Sequence, residues 1–466
     1  MAMAICFYGH GLLSIEFTNR IRFQTPLGSG CSDGCNGHMW MSAHISYNFT
    51  KMLSKFKNYV IESCVGAIVP DRPCRCGRPR SLDRPRKGSA KEPLMYTIKV
   101  ISSAQKIKGQ GVGSCYEEQV RLIKCGLRGK FDIQDAGRGS DDDAAGKRKQ
   151  RAADINHYHT IDPTNFIGNL CKSQKTVSVG YVHFLPETVD DSLRMPATIR
   201  KLFNGYLVLF YKSMDYLVTV NPSYVAKLER YGVDPARVAY IPNFVSCDGF
   251  GELAEDEVAR ARRSLGIEPG QFAALGVGQL QTRKGVADFV EVARMLPHIA
   301  FIWAGGFSFG MMTSGYEKIR DIVADPPPNV RFLGIVQRSM MNGIYNACDA
   351  LFLPSYSELF PMTVLEAMCC KKPLLLRDID AYPPILFDGY LKGRCNEEFA
   401  EALARLAGDA EFHAEWTARS WACHERYAGD RVLGMWDEFY TKVLDARKRK
   451  LAGRQPMPWR QKQAVK

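Results

Sequence analysis

From Met95 onward the chain alternates short runs of β-branched and aromatic residues with helix-patterned segments, and that alternation most restricts its fold. The first runs are YTIKVIS, DINHYH, KTVSVGYVH and DYLVTV, with the amphipathic segment SCYEEQVRLIK after the first. Near YIPNFVSCDGFGELAEDE an extended Pro-containing run gives way to a polar, glycine-bearing stretch. The beat then resumes with FAALGVG, IAFIWAG, VRFLGIV, ALFLPS and KPLLLRD, separated by segments such as GVADFVEVARML. Strands that alternate with helices pair in parallel, because only a crossover helix returns the chain to the same end of the sheet. The expectation is an α/β protein with two Rossmann-like domains, residues 95–247 and 248–425, followed by a terminal helix and basic tail over 426–466.

Residues 1–94 lack this beat. Their stretch DRPCRCGRPRSLDRPRKGSAKEP is basic and of low complexity, so the segment is expected to be a disordered or non-native leader, with the functional chain starting at Met95. A second break, residues 134–154, reads as a disordered surface loop. The net charge of +13 belongs to the ends: residues 1–94 hold 13 Lys/Arg against 6 Asp/Glu, and residues 441–466 hold 9 against 1. Basic ends attract anionic lipid or nucleic acid, or are simply solvated tails. No run reaches the ~18 apolar residues of a membrane span, and the opening MAMAICFYGHGLLSIEF lacks the pattern of a secretory signal. The 15 scattered cysteines suit thiols in a reducing compartment, so a cytoplasmic protein is expected. The spacings of Cys31 with Cys35 and of Cys74 with Cys76 match no standard zinc pattern.

Chemistry concentrates at the carboxyl ends of the second set of strands, where open α/β sheets bind ligands. ALFLPS ends at Ser355, and Pro361 is suited to open a helix through TVLEAM. Glu358 then falls in the turn and Glu366 about one turn inside the helix. An ionised carboxylate only accepts hydrogen bonds, so each suits a vicinal diol of a ribose or hexose. Backbone N–H groups of Phe360, Pro361's successor Met362, and Thr363 lie at the helix start, able to receive a phosphate or sugar oxygen. Upstream, LGVGQLQTRKGVADF carries Arg283 and Lys284 just before a helix beginning near Gly285 or Val286, and Lys284 is placed to neutralise a diphosphate. IAFIWAGG ends in Gly305 and Gly306, whose missing side chains permit close approach of backbone to a ligand.

These residues together resemble the donor domain of the family-4 retaining glycosyltransferases, whose mark is an E-x7-E motif; the likeness runs from about residue 272 to 380. It implies the GT-B architecture, two Rossmann-like domains facing across a cleft. It further implies Glu358 at the transferred sugar, Glu366 at the ribose of a UDP-sugar and Lys284 at the diphosphate. One departure stands out: Gln279 occupies a position commonly held by arginine, so Arg283 is the candidate for a second phosphate cation. No metal or other cofactor is required by that architecture. Asp141 to Asp143, and Asp378 with Asp380, read as loop and strand-end acids rather than a metal pair.

In the first domain Gly109, Gly111 and Gly113 lie between a strand and a helix, in a spacing that is neither a Walker loop nor the dinucleotide fingerprint. They resemble the glycine-rich loop facing the cleft of GT-B enzymes, on the acceptor side. His183, at the end of KTVSVGYVH, has a strand-end position like that of the family's active-site histidine; Glu187 is a candidate acceptor ligand. His157 and His159 alternate on one strand face and read as structural or cleft-lining. Ile199, Leu202, Phe203, Tyr206, Leu207 and Phe210 form one stripe of a helix flanked by Arg200, Lys201 and Lys212, fitted to pack on the sheet or, in part, to lie in a membrane interface.

The segments KGQGVGS, YVHFLPET, VGQLQTRKGV, AGGFSFG and LPSYSELFPMTVLEAM are similar to those of bacterial glycosyltransferases that build glycolipids on diacylglycerol or glucosyl-diacylglycerol. The expected reaction is hexosyl transfer from UDP-glucose or UDP-galactose to such a lipid, with retention. The expected partners are the nucleotide sugar, the lipid acceptor and the anionic inner face of the cell membrane, with no nucleic acid. Rival readings are a glycan acceptor, a UDP-sugar epimerase, and an inactive binding subunit of the same fold.

Overall fold

The computed structural model describes residues 2–8, 12–18, 95–104, 111–136, 152–190, 192 and 195–453. The chain falls into two units, Met1–Arg86 and Lys87–Lys466. In the first, strands β1 (Ala2–Tyr8) and β2 (Leu12–Thr18) form an antiparallel hairpin with Ala2 opposite Thr18 and Tyr8 opposite Leu12. The basic stretch 71–93 lies outside the described residues.

The second unit contains two sheets of six parallel strands. The first is built from β3 (Tyr96–Ile101), β4 (Phe131–Asp135), β5 (Ile155–Tyr158), β6 (Val177–Val182), β7 (Tyr216–Thr219) and β8 (Val238–Tyr240), in the order β4-β3-β5-β6-β7-β8. The other is built from β9 (Ala273–Val277), β10 (Ala300–Ala304), β11 (Val330–Phe332), β12 (Ala350–Leu353), β13 (Leu374–Arg377) and β14 (Leu391–Gly393), in the order β11-β10-β9-β12-β13-β14. Every residue of β9, β10, β12 and β13 is buried, as expected of parallel strands covered by helices on both faces. Phe289, Phe301, Trp303 and Phe352 interlock on one face of the second sheet, with Phe289 5.0 Å from Trp303 and 5.5 Å from Phe352 between ring centroids.

Chain order reverses direction across each sheet, between β3 and β5 in the first and between β9 and β12 in the second. Loops leaving the two strands at such a point diverge and leave a crevice between them. The residues after β9 and β12 therefore share the natural ligand-binding position of the second sheet.

One feature differs from the sequence expectation. The loop expected over 134–154 is shorter, because Gln134 and Asp135 complete β4 and Asp154 is buried, accepting from Thr97 N at 2.9 Å and from Arg447 at 2.7 Å; residues 137–151 of it lie outside the described residues. Arg447 belongs to the terminal helix Gly429–Leu451, which crosses back to the first sheet and lays Trp436 and Tyr440 against His157. Along the helix Ala197–Ser213, Leu207 and Phe210 pack into the first domain while Leu202 and Leu209 are exposed. Among the described residues no helix is long and apolar enough to cross a membrane.

Candidate active site

The turn after β12 runs through Ser355 to Pro361, and Pro361 caps the helix Met362–Cys369. Glu358 sits in that turn, 7% exposed, with its Oε1 2.5 Å from Lys284 Nζ and its Oε2 3.6 Å from an Arg283 guanidinium nitrogen. Lys284, also 7% exposed, ends the short 3-10 turn Thr282–Lys284 after β9. The two loops that diverge at the switch point are thus joined across it by an ion pair. Their backbones meet as well, since Tyr356 N donates to Arg283 O at 2.7 Å and Arg283 donates to Ser357 O at 2.8 Å. Gly285 follows with φ +69° and caps the helix Val286–Met295; a Cβ there would stand 2.2 Å from Pro354 O, so no other residue lets these loops approach.

Burial alone would raise the Glu358 pKa, but the Lys284 and Arg283 charges outweigh it and hold the carboxyl below its ordinary value. Burial lowers the pKa of Lys284, opposed by Glu358. A buried carboxylate and a buried ammonium, each dependent on the other, are poised to exchange partners when an anion enters.

The other half of the unit holds the same turn. Tyr224 Oη donates to the Glu358 carbonyl at 3.3 Å, Asn221 Nδ2 to Leu359 O at 2.8 Å and Asn243 Nδ2 to Phe360 O at 2.7 Å. Three successive carbonyls of the motif are therefore fixed from the first domain. Asn221 and Asn243, buried just beyond the ends of β7 and β8, were not singled out from the sequence, where only NPS and IPN after strand runs signal them.

Glu366 is 4% exposed and engaged at both oxygens: Arg338 donates to Oε1 at 2.5 Å and Tyr345 Oη to Oε2 at 2.8 Å. The second arm of the Arg338 guanidinium donates to Glu118 Oε1 at 2.9 Å. Glu118 is buried on the helix Gly111–Gly126, so this arginine bridges carboxylates from both domains. Arg338 was also missed by sequence reasoning; RSMMNG has no local pattern that marks its partners. A carboxylate offers about four acceptor sites, so two donors leave capacity at Glu366.

Gly109 lies outside the described residues, and Gly111 and Gly113 occupy the first turn of the helix Gly111–Gly126 rather than a loop before it. His183 follows β6, partly exposed, with its Nε2 3.2 Å from His159 Nδ1. Burial pushes its pKa down to about 3, and does the same to His157. His157 is buried between Tyr181 and the terminal helix and His159 between Tyr181 and Tyr116, the structural one of the two readings expected of them. Glu187 is exposed and accepts from Tyr231 Oη at 2.7 Å. Gln279 accepts from Gln281 at 2.5 Å. Gly305, at φ +142°, would place a Cβ 1.9 Å from Gly278 O; the close approach it permits here is to protein backbone. Phe360 and Met362 bury their side chains, leaving only their main chain to a ligand, while Thr363 is partly exposed. Arg283 also donates to Ser192 Oγ at 2.7 Å. Asp378 lies 3.9 Å from Lys392, and Asp141 to Asp143 fall outside the described residues.

Comparison with known proteins agrees with this layout. The family model for glycosyl transferases group 1 matches residues 257–420, and that for glycosyltransferase family 4 matches 142–248. The chain is 38% identical over 351 residues to the alpha-galactosylglucosyldiacylglycerol synthase of Streptococcus pneumoniae, a match covering 75% of this chain and 91% of that protein. It is 29% identical over 318 residues to the processive diacylglycerol alpha-glucosyltransferase of Acholeplasma laidlawii, covering 66% and 88%. Among solved structures, Anabaena HepE in complex with UDP and glucose aligns over 75% of this chain and 100% of its own at 14% identity, with a TM-score of 0.59. Sucrose-phosphate synthase of Thermosynechococcus elongatus aligns over 76% and 100% at 15% identity, with a TM-score of 0.60. At these identities the structural likeness establishes the shared GT-B fold.

Proposed function

The chain belongs to the family-4 glycosyltransferases, and we propose that within this family of enzymes it moves a hexose from UDP-glucose or UDP-galactose to glucosyl-diacylglycerol or diacylglycerol, with retention at the anomeric carbon. The observation that carries the lipid acceptor is the match to the galactosylglucosyldiacylglycerol synthase, which spans nearly the whole of that relative and both halves of the cleft.

The buried Lys284–Glu358 pair supplies the donor-side chemistry. When the diphosphate enters, the Lys284 ammonium turns from Glu358 to it and neutralises charge that grows as the sugar–phosphate bond breaks. Glu358, still ionised, accepts hydrogen bonds from the hydroxyls of the transferred sugar. Glu366 accepts from the ribose with its remaining lone pairs, oriented by Arg338 and Tyr345. Neutral His183 donates or accepts a hydrogen bond near the reacting carbon without adding a cation. This scheme calls for no metal at the sugar.

The acceptor approaches from the first domain, near Gly111, Gly113 and His183. Exposed Leu202 and Leu209 beside exposed Arg200 and Lys201 fit the helix Ala197–Ser213 for peripheral contact with an anionic membrane on its cytoplasmic face. Nucleic acid has no place in the reaction. Incubation with each UDP-sugar and each lipid, followed by chromatography and anomeric analysis of the product, tests the proposal. An α-linked glycolipid is expected; an epimerised nucleotide sugar, or transfer only to a non-lipid glycan, would overturn it.

A further inference from the structure

Cys247, Cys369 and His424 come together although they are separated by 122 and 55 positions in the chain. Cys247 lies in the segment linking the two sheets, Cys369 is the last residue of the helix that carries Glu366, and His424 is the last residue of the helix Ala410–His424. The sulfurs are 3.2 Å apart, and His424 Nε2 stands 3.0 Å from the Cys369 sulfur and 3.7 Å from that of Cys247. Ligands at zinc bond lengths and tetrahedral angles would sit about 3.8 Å apart for sulfur–sulfur and about 3.5 Å for sulfur–nitrogen. Shifts of roughly half an ångström bring these atoms to that geometry.

We propose that this cluster is a zinc site with Cys247, Cys369 and His424 as protein ligands and water in the fourth position. Two sulfurs and an imidazole nitrogen select a borderline-soft cation over magnesium or calcium. On binding, both thiols release their protons to solvent, and two thiolates with one Zn2+ make a neutral core that suits the buried Cys369 and His424. Cys247 is exposed and provides the route by which the ion arrives. Two of the ligands end helices, where the backbone favours positive charge, and Trp421 stacks on the His424 ring at 5.1 Å to set its plane. The bound ion would tie the linker to the helix of Glu366, one turn from that carboxylate.

The test uses the full chain, stripped with chelator and titrated with Co2+. One equivalent is expected to give thiolate-to-metal charge-transfer and tetrahedral d–d bands, bleached by one equivalent of Zn2+, and zinc is expected to raise Tm. Cys369→Ser and His424→Asn should abolish the bands, whereas replacing Cys31, Cys35, Cys74 and Cys76 together by serine should leave them. Cys247→Ser, at an exposed position that folding tolerates, should abolish both the bands and the zinc-dependent rise in Tm. The proposal fails if the parent gives no bands, if they survive Cys247→Ser, or if protein alkylated on isolation contains a Cys247–Cys369 disulfide.

Discussion

Replacing Arg338 by methionine removes the one guanidinium that serves two buried carboxylates, Glu118 and Glu366, each about 5% exposed at the side chain. Stripping the partner from a buried ion pair costs about 3–5 kcal/mol, because the remaining charge keeps its desolvation penalty. Two features moderate this. The guanidinium is itself 30% exposed, and each carboxylate keeps another donor, Ser246 N for Glu118 and Tyr345 Oη for Glu366. We therefore expect Arg338→Met to destabilise the protein by about 2–4 kcal/mol at pH 7. Urea unfolding followed by tryptophan fluorescence reads this as a fall in the midpoint, with Trp303 and Trp436 as buried reporters. The double variant with Glu118→Gln isolates the bridge: the two losses should overlap by about 1–3 kcal/mol instead of adding. In turnover, Arg338→Met should raise the KM for the donor more than it lowers kcat. A midpoint unchanged within error, or strictly additive effects of the two substitutions, would refute the bridge.

Glu358→Gln is expected to lower kcat by about 10²–10³-fold, the scale of losing one aligned polar group at a reacting centre, with circular dichroism unchanged; near-parental turnover would remove Glu358 from the site. Asn243→Ala leaves the buried Phe360 carbonyl without its donor and should cost about 1–3 kcal/mol and reduce activity with it, read by urea midpoint and product yield. The histidines predict an acid limit. His157 and His183 are held near 3 against an ordinary 6.5, so the unfolded chain binds protons that the folded one refuses. Stability is then complete above about pH 6.5 and falls as pH drops toward about 3, by up to about 1.4 kcal/mol per pH unit for each histidine. Unfolding free energies at pH 7, 6 and 5 check the slope, and His157→Phe should flatten it.

The alternation of strands and helices, the ends of the second-half strands, and the positions of Glu358 and Lys284 beside helix starts were all readable in the sequence. Each is a local property, set by side-chain periodicity over a few residues and by Pro and Gly at the turns. In the second unit, strands β4, β8 and β14 escaped because FDIQD carries charge and polarity at alternate positions and VAY and LKG are only three residues long. Tertiary structure alone decided which strands are neighbours. Only the reversal between β9 and β12 brings Lys284 to Glu358 across 74 positions. The same holds for Arg338 between Glu118 and Glu366, for the three side chains that grip the carbonyls of the Glu358 turn, and for the cysteines and histidine that meet behind Glu366. Contacts between residues far apart in the chain depend on how whole layers pack, and packing leaves no spacing for a sequence to display.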